Sequence, residues 1–366
     1  MPAQLVFGVL ISQSWARQLA EQQDLYDARM YALAAQHSGI YVYFFRRKDI
    51  DFTKRSIRGW VPHPDGRWVY QAVPWPNVYY DQVKIASLNN TRAYRKLHRL
   101  LNNSSIPLNP VNLLAKWKCH LALSQFPDTS ELLPETILCQ DTRSLKKMLT
   151  KHQVILAKPD AGSRGEGICR IWRSDEGRYN IHLAEEDTPE QLRHLQEIYL
   201  LCTVYAGRQK VLLQQEIPLA RASEDERCDM RISVAKNRQG TWEVTQSYLR
   251  AGRPGKFITN WSQGARCVTL QEGLTLIGIP LDSIEQAKTN IFATAVRVAT
   301  RLEQSLGRMA EMGIDLALDN SHRLWLLEAN ATPNKGSQPD DTWDPVPKIF
   351  KNVLEYAQYL WEREKL

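Results

Sequence analysis

Apolar positions along the chain follow two periodicities, and the switches between them mark out the elements. Residues 5–11 and 40–45 are compact apolar runs with polar flanks, the pattern of buried strands. Between them Leu25, Ala28, Ala32 and Ala35 recur at helical spacing and predict a helix over residues 25–37. Residues 68–73 and 78–83 predict two further strands, separated by Pro74 and Pro76. Strand and helix patterns alternating in this way predict a small, partly parallel sheet. The run Asn102-Asn103-Ser104-Ser105-Ile106-Pro107 breaks the pattern and predicts a boundary near residue 108.

Beyond that boundary a helix over residues 112–124 carries Lys116 and Lys118, and Asp141 is placed to cap a helix through Leu149. Residues 154–158 form an apolar strand ending in Lys158. It runs into a loop with Gly162, Ser163, Gly165 and Gly167, followed by a strand over 168–172. Such a loop exposes backbone N–H groups that can cover phosphates, and a lysine at its base can neutralise them. A plain hairpin turn has the same appearance. Thr188-Pro189-Glu190-Gln191 has the form of a capping box and predicts a helix to Tyr205, closed by Gly207. A strand over 211–215 leads into Gln214-Gln215-Glu216-Ile217-Pro218, the expected crossing between two subdomains. Alternation then puts Asp229, Arg231 and Ser233 on one strand face and Met230, Ile232 and Val234 on the other. The partner strand, over 242–250, ends in Arg250. Ile284 to Leu306 and Ile349 to Leu360 carry helical apolar stripes. Three units follow from this pattern: residues 1–108, 109–213 and 214–366.

The most informative stretch is residues 313–333, two alternating apolar segments around the polar turn Asp319-Asn320-Ser321-His322. A four-residue loop would set Asp319 opposite Leu324 and Asp315 opposite Glu328. Glu328 and Asn330 would share a face, with Trp325 and Leu327 on the other. Opposed carboxylates lie about 4.5–5.5 Å apart at Cβ and repel. Two carboxylates beside an amide oxygen suit a hard cation such as Mg²⁺, which also binds phosphates. A half-exposed hairpin with a wet polar face is the alternative.

Composition narrows the class. Hydrophobic residues at 43% and charged residues at 24% supply a core and a solvated surface over 366 residues. The apolar run at residues 5–11 is too short to span a bilayer and lacks a basic lead-in, so neither a membrane span nor a signal peptide is expected. Six scattered cysteines with no Cys-x-x-Cys pair argue against zinc and for a reducing, cytoplasmic setting. Between residues 40 and 118, 14 Lys and Arg stand against 4 Asp and Glu, an excess larger than the net +7 of the whole chain. A basic front suits an anionic substrate. No helix-turn-helix, zinc finger or RNA-binding signature supports nucleic acid.

Taken in order, Lys116, Lys158 before the glycine-rich loop, the strand at 211–215, Asp229-x-Arg231 and Asp315…Glu328-x-Asn330 resemble the ATP-grasp superfamily over roughly residues 110–335. More narrowly, Lys-Pro-x-x-Gly-Ser-x-Gly-x-Gly-Ile, Gln-Gln-x-Ile and Asp-x-Arg resemble the endospore coat-associated YheC/YheD family, as does Asn77-Val78-Tyr79-Tyr80-Asp81. The resemblance implies an α/β (α+β) ATP-grasp fold behind an N-terminal pre-ATP-grasp domain. It implies ATP and two Mg²⁺ ions. Lys116 and Lys158 would hold the α- and β-phosphates, and Gly162, Ser163, Gly165 and Gly167 would form the lid. Gln214, Gln215 and Ile217 would line the adenine pocket, and Asp315, Glu328 and Asn330 would bind the metals. Arg231 would meet the γ-phosphate or an acyl phosphate, and Arg250 and Asn260 would contact the acid substrate. Gln214 stands where many such enzymes carry glutamate, which leaves the ribose contact to Glu216 or Glu224. The implied activity is ATP-dependent ligation of an anionic carboxylate, an amino acid or short peptide, to an amine. A kinase acting on a hydroxyl, and a coat-associated nucleotide binder without turnover, are the alternatives, and a location with the endospore coat is implied.

Overall fold

The computed structural model describes residues 4–83, 91–111, 114–162, 165–207, 209–260, 263–336 and 345–364. Three sheets follow one another along the chain. In the first, Tyr41–Phe45, Val6–Leu10, Val78–Asp81 and Ile106–Pro107 lie side by side and parallel. An antiparallel extension, Ile50–Asp51, Ser56–Pro62 and Trp68–Val73, continues past Tyr41–Phe45. Both faces of the parallel part are covered, which is why its strands read as near-continuous apolar runs. Phe7, Val9, Val42, Phe44 and Val78 pack towards the helices Tyr26–Ser38 and Lys348–Arg363. Tyr43, Phe45 and Tyr79 meet the helix Arg92–Asn102 on the other side. The C-terminal helix therefore returns to the first sheet while also lying against the third.

The second sheet is antiparallel, in the order Glu190–Leu192, Tyr179–Leu183, Cys169–Arg173, Val154–Pro159, Val211–Gln215 and Thr136–Leu138. One face packs on the helices Thr142–Lys151 and Leu195–Tyr205 through Ile155, Ala157, Ile171 and Leu213. Asp141 caps the first of these, accepting from the Ser144 N–H at 2.9 Å. The capping box expected at Thr188 is not a helix start. Glu190–Leu192 is an edge strand on Tyr179–Leu183, and the helix begins at Leu195. There the Glu197 carboxylate accepts from the His194 N–H at 2.9 Å. Ladder pairing across the chain has overridden the local signal.

The third sheet runs Arg266–Thr269, Trp242–Ala251, Glu226–Lys236, Glu311–Leu318 and Leu324–Asn330. Met230, Ile232, Leu249, Ile314, Leu316 and Leu326 face the long helix Ile284–Leu306. The other face carries Asp229, Arg231 and Asp315 at one end, towards a cleft, and meets the C-terminal helix at the other, where Asn352 donates to the Ala235 carbonyl at 3.5 Å.

A buried cluster ties this sheet to the first. Lys335, on the loop after the last strand, pairs with Glu311, and both side chains are at most 1% exposed. Tyr80 of the first sheet donates to Glu311, and the Lys335 ammonium lies 3.2 Å from its hydroxyl. Burial pushes the Glu311 carboxyl up to about 7, although Lys335 opposes it. Removing the lysine leaves a buried carboxylate alone. Lys335→Met is expected to cost about 3–5 kcal/mol at alkaline pH. The loss shrinks as pH falls through the Glu311 pKa, because the protonated acid is neutral. Urea unfolding at both ends of that range checks the sign.

Candidate functional site

The hairpin that carries the expected metal ligands is built by two departures from a simple ladder. Its loop is one residue tighter than expected: Asp319 faces Arg323, with its N–H donating to the Arg323 carbonyl at 3.0 Å. His322 adopts φ +61°, the left-handed residue of a three-residue hairpin loop. The Asp319 carboxylate braces the loop through the N–H groups of Ser321 and Arg323 at 2.8 and 3.0 Å. Leu318 then faces Leu324, which alone would misalign the carboxylates. A bulge at Leu327 restores the register, and Asp315 faces Glu328 with Gly313 opposite Asn330. The bulge also corrects the face of Trp325. Leu324, Leu326 and Ala329 are the core-facing residues. Trp325 lies on the Glu328 side and donates to Asp319 at 2.9 Å.

Asp315 does not face Glu328 unaided. Arg231 binds it through two nitrogens, one of them at 3.0 Å, and Arg250 lies 3.2 Å away. Burial alone would raise the Asp315 carboxyl; the two guanidinium groups outweigh it and hold the acid below its ordinary range. The register Asp229↔Arg250 and Arg231↔Tyr248 makes the two arginines diagonal neighbours on one face. Gly313 leaves room for them, since a Cβ there would sit 3.3 Å from an Arg231 nitrogen.

Arg250 differs most from expectation. Its guanidinium is occupied by Asp229 at 2.7 and 2.5 Å, and its side chain is 7% exposed. It holds Asp229 and Asp315, so in this structure its donors are already paired, as those of Arg231 are by Asp315.

The two lysines converge from different elements. The strand Val154–Pro159 turns Leu156 and Lys158 away from its helix-covered face. Two residues on, Asp160 caps the helix Lys116–Leu123: its carbonyl accepts from the Lys116 N–H at 2.9 Å and its carboxylate from the Trp117 N–H at 2.8 Å. This nonlocal cap, which local reading misses, plants Lys116 beside Lys158. The Lys116 ammonium lies 3.3 Å from Glu328, while Lys118 is exposed on another face. Lys158 donates to Gln214 at 2.6 Å, and Gln214 donates to Thr136 at 3.1 Å. Because that partner is an amide, burial pushes the Lys158 ammonium down to about 8.

Lys116, Lys158, Gln214 and Glu328 line one cleft with Thr136 and His120, and Leu133, Pro134, Leu212 and Leu327 supply its apolar wall. Its empty volume, open solvent included, is about 540 Å³. Gln215 and Ile217 are not among these lining residues. The Gln215 side-chain oxygen accepts from the Glu135 N–H at 3.1 Å, and Ile217 is buried. Glu216 lies between Arg170 and Arg227, each at 2.7 Å. Glu224 is exposed. In the glycine-rich loop, Gly165 and Gly167 have φ of +79° and +71°. A Cβ at Gly165 would collide with Asn260 at 2.6 Å, so the loop rests against the segment before the third sheet's edge strand. Gly162 accepts from the Lys116 ammonium at 3.3 Å, and Ser163 lies outside the described residues.

By type the donors suit Mg²⁺, two carboxylates in direct register and an amide on the same face, but both Asp315 oxygens accept from Arg231 here, so a metal would have to share that carboxylate with the arginine. Among the described residues no group of three His, Cys, Asp or Glu surrounds a metal position. Asn330 and ligand oxygens would complete the shell.

Two sheets closing on a cleft, one carrying lysines and a glycine-rich loop and the other paired carboxylates, define the ATP-grasp fold. Solved structures agree. D-cycloserine synthetase DcsG is 11% identical with a TM-score of 0.55, over 98% of this chain and 99% of that one. N5-carboxyaminoimidazole synthetase from Staphylococcus aureus is 9% identical at 0.53, over 97% and 78%. The ATP-grasp ligase PsnB, solved with a minimal precursor, is 12% identical at 0.52, over 96% and 99%. At these identities the likeness is one of fold. The YheC/D like ATP-grasp model matches residues 106–360, and the chain belongs to that family. Endospore coat-associated protein YheD of Bacillus subtilis (strain 168) is 25% identical over 348 residues, 94% of this chain and 75% of that protein. YheC of the same organism is 23% identical over 253 residues, 68% of each. Among the described residues no helix is long and apolar enough to cross a membrane.

Because Arg250 sits in a buried network, Arg250→Met is expected to destabilise the protein by about 3–5 kcal/mol. Asp229→Asn with Arg250→Met should recover part of that loss, since the stranded charge is removed. Denaturant melts of the single and double variants measure the coupling.

Proposed function

We propose that the cleft binds Mg-ATP and that the protein joins a carboxylate to an amine through an acyl phosphate, releasing ADP and phosphate. The observation that carries this is the convergence of Lys116, Lys158, Gln214 and Glu328 on one cleft, with Asp315 in register opposite Glu328. A carboxylate is a weak electrophile until one of its oxygens takes the γ-phosphoryl group. Phosphoryl transfer asks for positioning and charge neutralisation rather than covalent help.

Lys116 and Lys158 would neutralise the α- and β-phosphates, and Arg231, held by Asp315, would face the γ-phosphate. Thr136 and Gln214 fix the head of Lys158. The apolar wall from Leu133, Leu212 and Leu327 suits a purine face. Asp315, Glu328 and Asn330 would hold Mg²⁺, which when bound screens the phosphate charge and orients the transferred group. The amine then attacks the acyl carbon, phosphate leaves, and the loop at Gly165 and Gly167 keeps water out. Fold neighbours named as synthetases or as a ligase support this reading, and ADP complexes are among them. An anionic amino acid or short peptide remains the substrate class, on the strength of the basic front of the chain. By extension from its relatives' names the protein would associate with the endospore coat, and its scattered cysteines argue that it is made in the cytoplasm.

Glu328→Gln is expected to abolish ATP turnover with an unchanged melting temperature. A screen for ADP release with amino acids and short peptides, followed by product mass, tests the chemistry. An amide with free phosphate supports ligation, whereas a phosphorylated product overturns it in favour of a kinase.

The Lys158 ammonium sets a pH dependence. A triphosphate selects the protonated lysine, and in the free protein that form is lost above about 8. Mg-ATP affinity should be flat below about pH 7 and fall towards tenfold per pH unit above about 8. Binding there should take up a proton. Calorimetry in two buffers of different ionisation enthalpy measures both, and Lys158→Arg should abolish the slope.

A further inference from the structure

The strand Trp68–Val73 ends the antiparallel extension of the first sheet and pairs only with Ser56–Pro62 among the described residues. Sheet edges are usually guarded by charge, proline or a bulge. Here none of the six residues is charged or proline, and Val69, Tyr70, Gln71 and Ala72 are exposed. The phase of the ladder fixes what the edge offers. The His63 N–H donates to the Arg67 carbonyl at 2.8 Å, so Val69 and Gln71 turn their backbone groups inward. Trp68, Tyr70 and Ala72 turn theirs outward. At Trp68 both outward groups are taken by one side-chain amide. Gln22 accepts from the N–H at 2.8 Å and donates to the carbonyl at 3.0 Å. It stands in for one residue of an absent strand. Tyr70 and Ala72 continue that edge.

The surroundings set the charge of what fits. From Arg46 to Val73 there are 7 Lys and Arg against 3 Asp. The acids are already engaged. Asp49 accepts from Arg46 at 2.9 and 2.7 Å and from the Tyr70 hydroxyl at 2.9 Å. Asp65 accepts from Arg67 at 2.8 Å, and Asp51 caps a turn through the Thr53 and Lys54 N–H groups at 3.0 Å. Arg47, Lys48, Lys54, Arg55 and Arg58 have no carboxylate partner among the described residues. Arg58 lies over the Tyr70 ring at 4.8 Å, and that ring packs on Trp60 at 4.6 Å.

We propose that this edge docks an extended acidic peptide segment of a partner protein as an added strand. Its backbone pairs with Tyr70 and Ala72, and its carboxylates meet Arg58, Arg55 and the cations around the hairpin. A second copy of this chain would bring like charge against like charge, which disfavours self-pairing.

The test uses a labelled synthetic peptide of about ten residues, alternating Glu and Val, read by fluorescence anisotropy with the whole 366-residue chain. Binding is expected, with slowed amide exchange at Tyr70 and Ala72. Ala72→Pro removes an outward N–H that the fold does not use, and should weaken binding about tenfold or more. N-methylating one of the two alternate sets of peptide nitrogens should do the same, a control that leaves the protein untouched. The Arg55→Glu/Arg58→Glu variant, and a lysine version of the peptide, should not bind. Equal binding of the parent peptide and both methylated forms would overturn the proposal, as would equal binding of the lysine peptide or of oligo-dT. Concentration-dependent dimers that Ala72→Pro dissolves would also overturn it, in favour of self-pairing.

Discussion

Two carboxylates set directly opposite each other across a ladder are the constraint around which this molecule is arranged. Asp315 and Glu328 would repel at that spacing. The remedy is distributed over the second and third of the sequential units. Arg231 and Arg250 come from the two neighbouring strands, Asp229 balances the second arginine, and Lys116 arrives on a helix capped from the second sheet. Each cation is held by a partner of its own, so the charges are fixed in place before any ligand arrives. Preorganised charge of this kind is what a site for phosphoryl transfer requires.

The second lysine follows a different rule. Lys158 has an amide rather than a carboxylate for its hydrogen-bond partner, and Gln214 is in turn oriented by Thr136. A glutamate in that place would have held the ammonium fully charged. With glutamine the charge is less firmly held. Two residues on, Glu216 joins Arg170 and Arg227 across the second and third sheets.

Much of this architecture is legible in the sequence, because strand alternation and helical stripes are local. The faces of Asp229, Arg231 and Ser233, the cap at Asp141 and the pairing of Asp315 with Glu328 all follow from spacing. The pairing nevertheless arises by a route that spacing does not contain. A tighter loop and a bulge cancel, and only the side occupied by Trp325 betrays them. The rest depends on contacts far apart in the chain. Asp160 caps a helix 43 residues earlier, Glu190–Leu192 joins a sheet instead of starting a helix, and Arg250 finds Asp229 across a ladder. A residue's type and spacing identify it as a candidate. Whether its charge is free or already spent is decided by neighbours that only the fold supplies.

The buried pair of Lys335 and Glu311, with Tyr80 against it, constrains how such a cleft can open. Glu311 begins the strand that carries Asp315, and Lys335 lies five residues beyond Asn330. Drawing the first sheet away from the third would carry an ion pair and a phenol into water together and break the apolar seam made by the C-terminal helix. Those two sheets therefore travel as a single jaw. The second sheet has a core of its own and meets the third through polar pairs such as Arg170–Glu216 and Lys256–Asp187, so it is the jaw whose movement would cost least apolar contact.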